Sequence, residues 1–379
     1  MKTEFTLIGI LLTVGVVQGL FLTIVLLLTK RGNVIANRLL ALFILSFSLL
    51  TMGDILYETH LLLLYPHLLL VFDPLIFVLA PFCFLYVKAL TIPCWKFKFL
   101  HILHFAPSIL IYLFFSTIYI YDAKTKINLL IESYTHPDNS IETFLILAAI
   151  QIFLYLIINL KMIKTHATAI KNYYSYQESV SLRWLKYFLL INFILWMAFI
   201  ISTFFNIRVL MDISNLLFTV AVYSIGYFGI KQPNIFFYDG VFVETDNQKT
   251  ASRKKYISST LTDQLVQKYT SDLIELMKNE KLYLQCDLKL VDVAEIMAVP
   301  QHHLSQIINE NLGKNFNDFV NEFRVEEFKI RLSDKNYNNL TILAMGLGCG
   351  FNSKAALNSV FKKLTGFTPS EFKKMNSSR

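Results

Sequence analysis

The chain has 379 residues, 55% hydrophobic and 15% aromatic but only 16% charged, a balance that argues against an all-soluble protein and for a membrane class. Its net charge of +8 is spread over both parts, with 16 Lys and Arg against 11 Asp and Glu in residues 1–240 and 19 against 16 in residues 241–379. Four scattered cysteines (Cys83, Cys94, Cys286 and Cys349) show neither disulfide-framework nor zinc spacing.

Seven apolar stretches come first, at residues 5–29, 39–57, 67–90, 100–121, 141–163, 184–205 and 209–230. Each is long enough to cross about 30 Å of hydrocarbon, which takes about 20 helical residues. The first is too long for a signal-peptide core and lacks a small-residue cleavage site, so it is expected to stay in the mature protein. Basic residues orient the set. The first, third and fifth connections hold 11 of them: Lys30, Arg31, Arg38, Lys88, Lys96, Lys98, Lys161, Lys164, Lys171, Arg183 and Lys186. The N-terminus and the even connections hold 4: Lys2, Lys124, Lys126 and Arg208. This asymmetry predicts a multi-pass protein of the bacterial inner (plasma) membrane, its N-terminus outside and, after seven crossings, its C-terminus in the cytoplasm.

Polar groups inside the stretches are Asp54, Asp73, His101, His104, Gln151, Asn159, Asn192 and Asn215. The amides suit hydrogen bonds between helices, and the two histidines share one helical face where interfacial packing is the first expectation ahead of a metal or haem pair. Asp73 is the candidate sensing residue, because Pro74 and Pro81 break the helix around it and free backbone groups in a cavity. No paired carboxylates, Ser-His-Asp arrangement, HExxH or Gly-rich phosphate loop is present. The expectation is a protein that is not an enzyme, with no catalytic residue, no metal and no cofactor.

Residues 231–260 read as a juxtamembrane linker, punctuated by Pro233 and Gly240 and carrying the basic cluster Arg253-Lys254-Lys255. A helix is predicted from about Leu261 to Lys278, with Leu261, Leu265, Tyr269, Leu273 and Leu276 on one face. That stripe needs a partner, the C-terminal domain itself ahead of the same helix of a second protomer.

The last stretch contains one small device twice. In "LVDVAEIMAVPQHHLSQIINENLG" a short helix breaks at Val299-Pro300 and a second one opens. Ala294 is the small residue where two helices cross, Val293, Met297, Val299, Leu304 and Ile307 form the core, and Pro300 suits a helix start. Gln301, His302, His303, Ser305 and Gln306 are left facing outward, with hydrogen-bonding groups suited to base edges in a major groove. In "LAMGLGCGFNSKAALNSVFKKLTG" the break is Gly350-Phe351, and Ser353, Lys354, Asn358, Lys362 and Lys363 form a basic face suited to phosphates. The helix-turn-helix units span residues 290–311 and 340–366. Between them, residues 315–333 read as a long helix that would hold two recognition helices ~34 Å apart on one face of DNA.

On these residues the segment 290–374 resembles the DNA-binding domain of AraC/XylS-type transcription regulators. The run "GFNSKAALNSVFKKLTGFTPSEFKK" carries its signature at Gly350-Phe351, Ser353, Phe361-Lys362-Lys363, Gly366, Thr368-Pro369 and Phe372. The resemblance implies sequence-specific promoter binding, base reading mainly by the first recognition helix, and action as a dimer or on repeated sites. The whole arrangement resembles membrane-anchored regulators of this family, in which a multispan module replaces the sugar-binding cupin. Departures sit in the second unit. Gly346 stands where the family usually has Ala, Gly348 where it has an acid, and Ala355, Ala356 and Leu357 where it often has Ser, an aromatic or Ser, and Phe.

The expected architecture is all-α: a seven-helix transmembrane sensor domain (1–230), the linker (231–260) and a cytoplasmic DNA-binding domain (261–379). The expected partners are double-stranded promoter DNA, membrane lipid, a small-molecule or envelope signal, a second copy of the chain and, for an activator, RNA polymerase. A constitutively active regulator merely anchored by its spans, and a transporter-like module with an appended regulatory domain, are the competing readings.

Overall fold

The structure, a computed structural model, describes residues 7–30, 32–92, 95–135, 140–176, 180–205, 207–231, 262–337 and 339–377. The linker expected at 231–260 lies outside these residues except at Lys231, as do Leu261, Cys94 and the Arg253–Lys255 cluster. The described chain is all-α, and it divides into two compact units: Met1–Lys164 with Leu182–Asn234, and Thr165–Ser181 with Ile235–Arg379.

In the first unit the helices are α1 (Leu7–Leu28), α2 (Val34–Glu58), α3 (Ile76–Thr91), α4 (Ala106–Phe114), α5 (Ser116–Ile120), α6 (Ala123–Thr135), α7 (Ser140–Ile170), α8 (Arg183–Phe204) and α9 (Arg208–Lys231). Where helices have no water to escape, small residues let them approach. Gly19 of α1 is such a place: a Cβ there would lie 2.1 Å from Ser48 Oγ on α2. Gly226 and Gly229 of α9 do the same against Leu22 of α1 and Leu40 of α2. Asn33 starts α2 by accepting from the Ala36 N–H and donates to the Ala89 carbonyl near the end of α3.

Among the described residues six helical stretches, not seven, are long and apolar enough to cross a membrane by length and composition: Leu7–Leu28, Val34–Glu58, Pro66–Thr91, Phe144–Ile170, Arg183–Phe204 and Val209–Gly229. The stretch expected at 100–121 is divided. Residues Phe99–Phe105 wind as a 3-10 helix, α4 follows with Pro107 in its first turn, and a single turn residue, Phe115 (φ −82°, ψ 0°), separates α4 from α5. A 3-10 turn rises about 2.0 Å per residue and an α turn about 1.5 Å. The 7 residues of the first and the 9 of α4 therefore extend about 27 Å, close to the ~30 Å of hydrocarbon.

The Asp73 region is also different from expectation. Asp73 is exposed and opens a 3-10 turn (Asp73–Leu75) immediately before α3. The backbone carbonyls near it are taken by hydroxyls: Ser108 donates to Pro74 O, Tyr112 to Val71 O and Tyr119 to Leu70 O. His101 and His104 stack at 6.4 Å, with His101 Nδ1 accepting the Lys98 N–H and His104 Nδ1 bonded to the Tyr155 hydroxyl at 2.7 Å. That is a packing role.

The second unit contains α10 (Asp263–Asn279), α11 (Leu290–Ile296), α12 (Gln301–Gln306), α13 (Phe316–Ser333), α14 (Ile342–Gly348), α15 (Lys354–Thr365) and α16 (Pro369–Ser377). Thr262, Asn315, Thr341 and Ser353 cap α10, α13, α14 and α15 by accepting a backbone N–H three residues on. Of the predicted stripe on α10, Leu273 is buried in the core around α11 and α13 and Leu276 packs partly buried against it, while Leu265 is exposed; Met277, outside the stripe, is buried beside Leu273. Residues 165–181, assigned from sequence to the membrane half, belong to this unit because their backbone pairs with residues 288–290.

Candidate nucleic-acid interface

The first helix pair is built around Ala294, buried where α11 and α12 cross, with Val293, Val299, Leu304 and Ile307 buried beside it. Asp292 caps α11 by accepting the Lys289 N–H at 2.7 Å. Ala298 takes a left-handed conformation (φ 52°), turning the chain into α12 without a glycine. After Gln306 the helix loosens into a π-helical turn, Ile307–Asn311, before Asn315 starts α13.

On α12, His302 is exposed, and Gln301, His303 and Gln306 are partly so. The imidazoles of His302 and His303 stand edge to face at 4.2 Å. Burial first, then the neighbouring His302, holds His303 below the usual histidine range, so it stays neutral near pH 7 and can both donate and accept. Ser305 is a correction to the sequence reading: it is buried, and its Oγ accepts from Asn309 Nδ2 at 3.2 Å. One helical step past Leu304, it falls on the inner face. Gln306 donates to Glu310 Oε2 at 2.9 Å, an i,i+4 pair that the sequence already contained.

The second pair has a tighter crossing. A Cβ on Gly346 would lie 2.6 Å from Leu357 Cδ2, so the missing methyl and the buried leucine fill one space together. Gly348, in place of the family's acid, leaves room for Arg331, which turns to its own helix and donates from Nε to Glu327 Oε1 at 2.9 Å. Gly350 (φ 91°) runs against the Tyr283 carbonyl, 2.4 Å from where a Cβ would be, so only glycine makes this turn. Burial pushes the Cys349 thiol up to about 11, which leaves it a small core residue.

Of the basic face, Lys354 and Lys362 are exposed on α15 and Asn358 is partly exposed. Ser353 spends its Oγ on capping α15. Lys363 is held by Asp318 of α13 at 2.7 Å. This long-range pair had no signal in the sequence. The buried cation Arg324 was likewise missed.

α13 is the common frame. It packs Phe316, Phe319 and Val320 into the first pair's core and Val325 and Phe328 into the second's. A family model described as "Helix-turn-helix domain" matches residues 293–375, from within α11 into α16. This stretch is an AraC-type helix-turn-helix domain. Relatives include uncharacterized HTH-type transcriptional regulators of Staphylococcus aureus strains COL and N315, each 34% identical over 93 residues. That match spans 24% of this chain and 12% of each relative, so the chain covers about an eighth of their length. No solved structure matches.

Proposed function

We propose that the protein is a membrane-bound, one-component transcription regulator that binds promoter DNA sequence-specifically through the helix-turn-helix domain, under control of a signal sensed in or across the membrane. The observation that carries this reading is the frame: one helix, α13, holds both recognition helices, with His302 exposed on one and Lys354 and Lys362 exposed on the other. Base-edge contacts by α12 supply specificity, and phosphate contacts by α15 supply position. Lipid is the natural partner of the first unit, whose outer surface is apolar; Phe99 is 82% and Phe114 75% exposed. Promoter DNA, an unidentified small-molecule or envelope signal, a second copy of the chain and, for an activator, RNA polymerase complete the set.

The test is binding of the full-length protein in lipid nanodiscs to fragments tiling the region upstream of its own gene, at several salt concentrations. The expected result is preference for one fragment, with affinity falling steeply as salt rises. Equal affinity for every fragment removes the regulator.

A further inference from the structure

The second unit is made of two pieces of chain. The short one, Thr165–Ser181, contains the end of α7 and the start of its connection to α8. Its backbone runs antiparallel to the approach to α11: Ser175 N–H donates to Leu288 O at 3.1 Å, Leu290 N–H donates to Tyr173 O at 2.9 Å, and Tyr174 stands opposite Lys289. A helix start leaves backbone N–H groups without intrahelical partners. At the start of α13 the Asn317 N–H finds Lys171 O, just past the C-terminus of α7, at 2.9 Å. The Asn317 side chain donates to Ser175 O at 2.8 Å.

Arg324 closes the arrangement. It is 2% exposed, and its bonds shorter than 3.3 Å reach uncharged acceptors: Tyr283 O and Gln285 O within the helix-turn-helix domain's approach, and Ser175 O and Oγ in the short piece. Burial brings the guanidinium down to about 10. A buried cation needs all its donors met, and here the short piece meets two of those contacts. Ser175 is itself 2% exposed. Tyr173 packs against the core of the first helix pair. His302 stays exposed, so the short piece grips the flanks of the first helix pair and leaves its reading helix open.

We propose that residues 171–175, between α7 and α8, are a docking strap through which the membrane half sets the DNA affinity of the first helix-turn-helix unit. This rests on the membrane-regulator reading above. α7 and α8 flank the strap in the chain, so any change in one relative to the other acts on the strap. The strap in turn joins the two ends of the first helix pair, the approach to α11 and the start of α13. Docked, it preorganises that pair. Undocked, it leaves Asn317 and Arg324 short of partners.

The experiment uses the full-length protein in nanodiscs, with exposed Cys286 changed to Ser. Tyr174→Cys is combined with Lys289→Cys, a directly opposed antiparallel pair of the closely spaced kind, about 4.5 Å between Cα atoms and within disulfide reach. Mild oxidation is expected to close the bond within single chains, while Tyr174→Cys with Leu343→Cys, on α14 of the second helix pair, stays reduced. Ser175→Pro removes the N–H donated to Leu288 O without touching the helix-turn-helix sequence. It is expected to slow cross-linking about tenfold and, in the chain with native Tyr174 and Lys289, to weaken binding to the preferred DNA at least threefold, with scrambled DNA unaffected. Cross-linking no faster than the control overturns the strap. So does undocking by Ser175→Pro with DNA affinity unchanged. Absence of DNA binding by the unaltered protein overturns the regulator reading and the coupling with it, a result distinct from failed docking with DNA binding intact.

Discussion

His302 and Lys362 are both exposed, yet their chemistry differs: an imidazole offers directional hydrogen-bonding groups to a base edge, and a long basic side chain suits a phosphate. Replacing His302 or Gln306 by Ala is expected to weaken the preferred site by roughly 1–3 kcal/mol and spare scrambled DNA. Replacing Lys362 should weaken all sequences alike and flatten the salt slope by about one unit. Affinities for both DNAs at several salt concentrations decide; specificity lost with Lys362 but kept without Gln306 would reverse the two helices' roles. Ser305→Ala, on the buried face, should leave specificity unchanged.

The crossing of α14 and α15 gives a second residue-scale prediction. Gly346→Ala forces its methyl onto Leu357 and should cost about 1–3 kcal/mol. Leu357→Ala opens a cavity and should cost about 2–5 kcal/mol. Because the two groups share one space, the double variant should cost less than the sum. The denaturation midpoint of the C-terminal domain measures all three, and strict additivity would show that the two do not share it.

At the scale of elements, α13 carries a pH dependence. Burial disfavours the charged form of Glu327, but hydrogen bonds and charge from Arg331 and Lys281 outweigh it and hold the carboxyl below its ordinary value of 4.5. A depressed folded pKa means stability that is present above about pH 4.5 and is lost as pH falls through the folded value. Glu327→Gln should therefore lower the denaturation midpoint at pH 7 and converge on the parent at acid pH. A gap that persists unchanged to pH 3 would assign the effect to packing alone. The pair Glu327–Arg331 was visible as an i,i+4 spacing, whereas Lys281, 46 residues away, was not.

For the whole molecule, the basic-residue asymmetry predicts an N-terminus outside, and a C-terminal domain that meets DNA then needs an odd number of crossings. Among the described residues six helices are long and apolar enough to cross, an even number, so we propose that Phe99–Phe114 is the seventh crossing. A reporter active only in the periplasm, fused after Arg379, is expected to stay silent. Activity there would show that this segment does not cross. The division of the fourth stretch left one local signal in the sequence, Pro107, which sits in the first turn of α4.

Local chemistry explains what the sequence determined by itself. Apolar runs of helical length, caps at Asn315, Thr341 and Ser353, and the spacing around Ala294 each act within a few residues, so the elements and the two helix pairs were legible in order. Tertiary structure decided what depends on groups far apart in the chain. It withdrew Ser305 into the core, tied Lys363 to Asp318, fitted Leu357 to Gly346 and brought the backbone of 171–175 against residues 288–290 and Arg324. Backbone carbonyls can serve as the partners of a buried arginine from any sequence, so no residue pattern could have announced that contact.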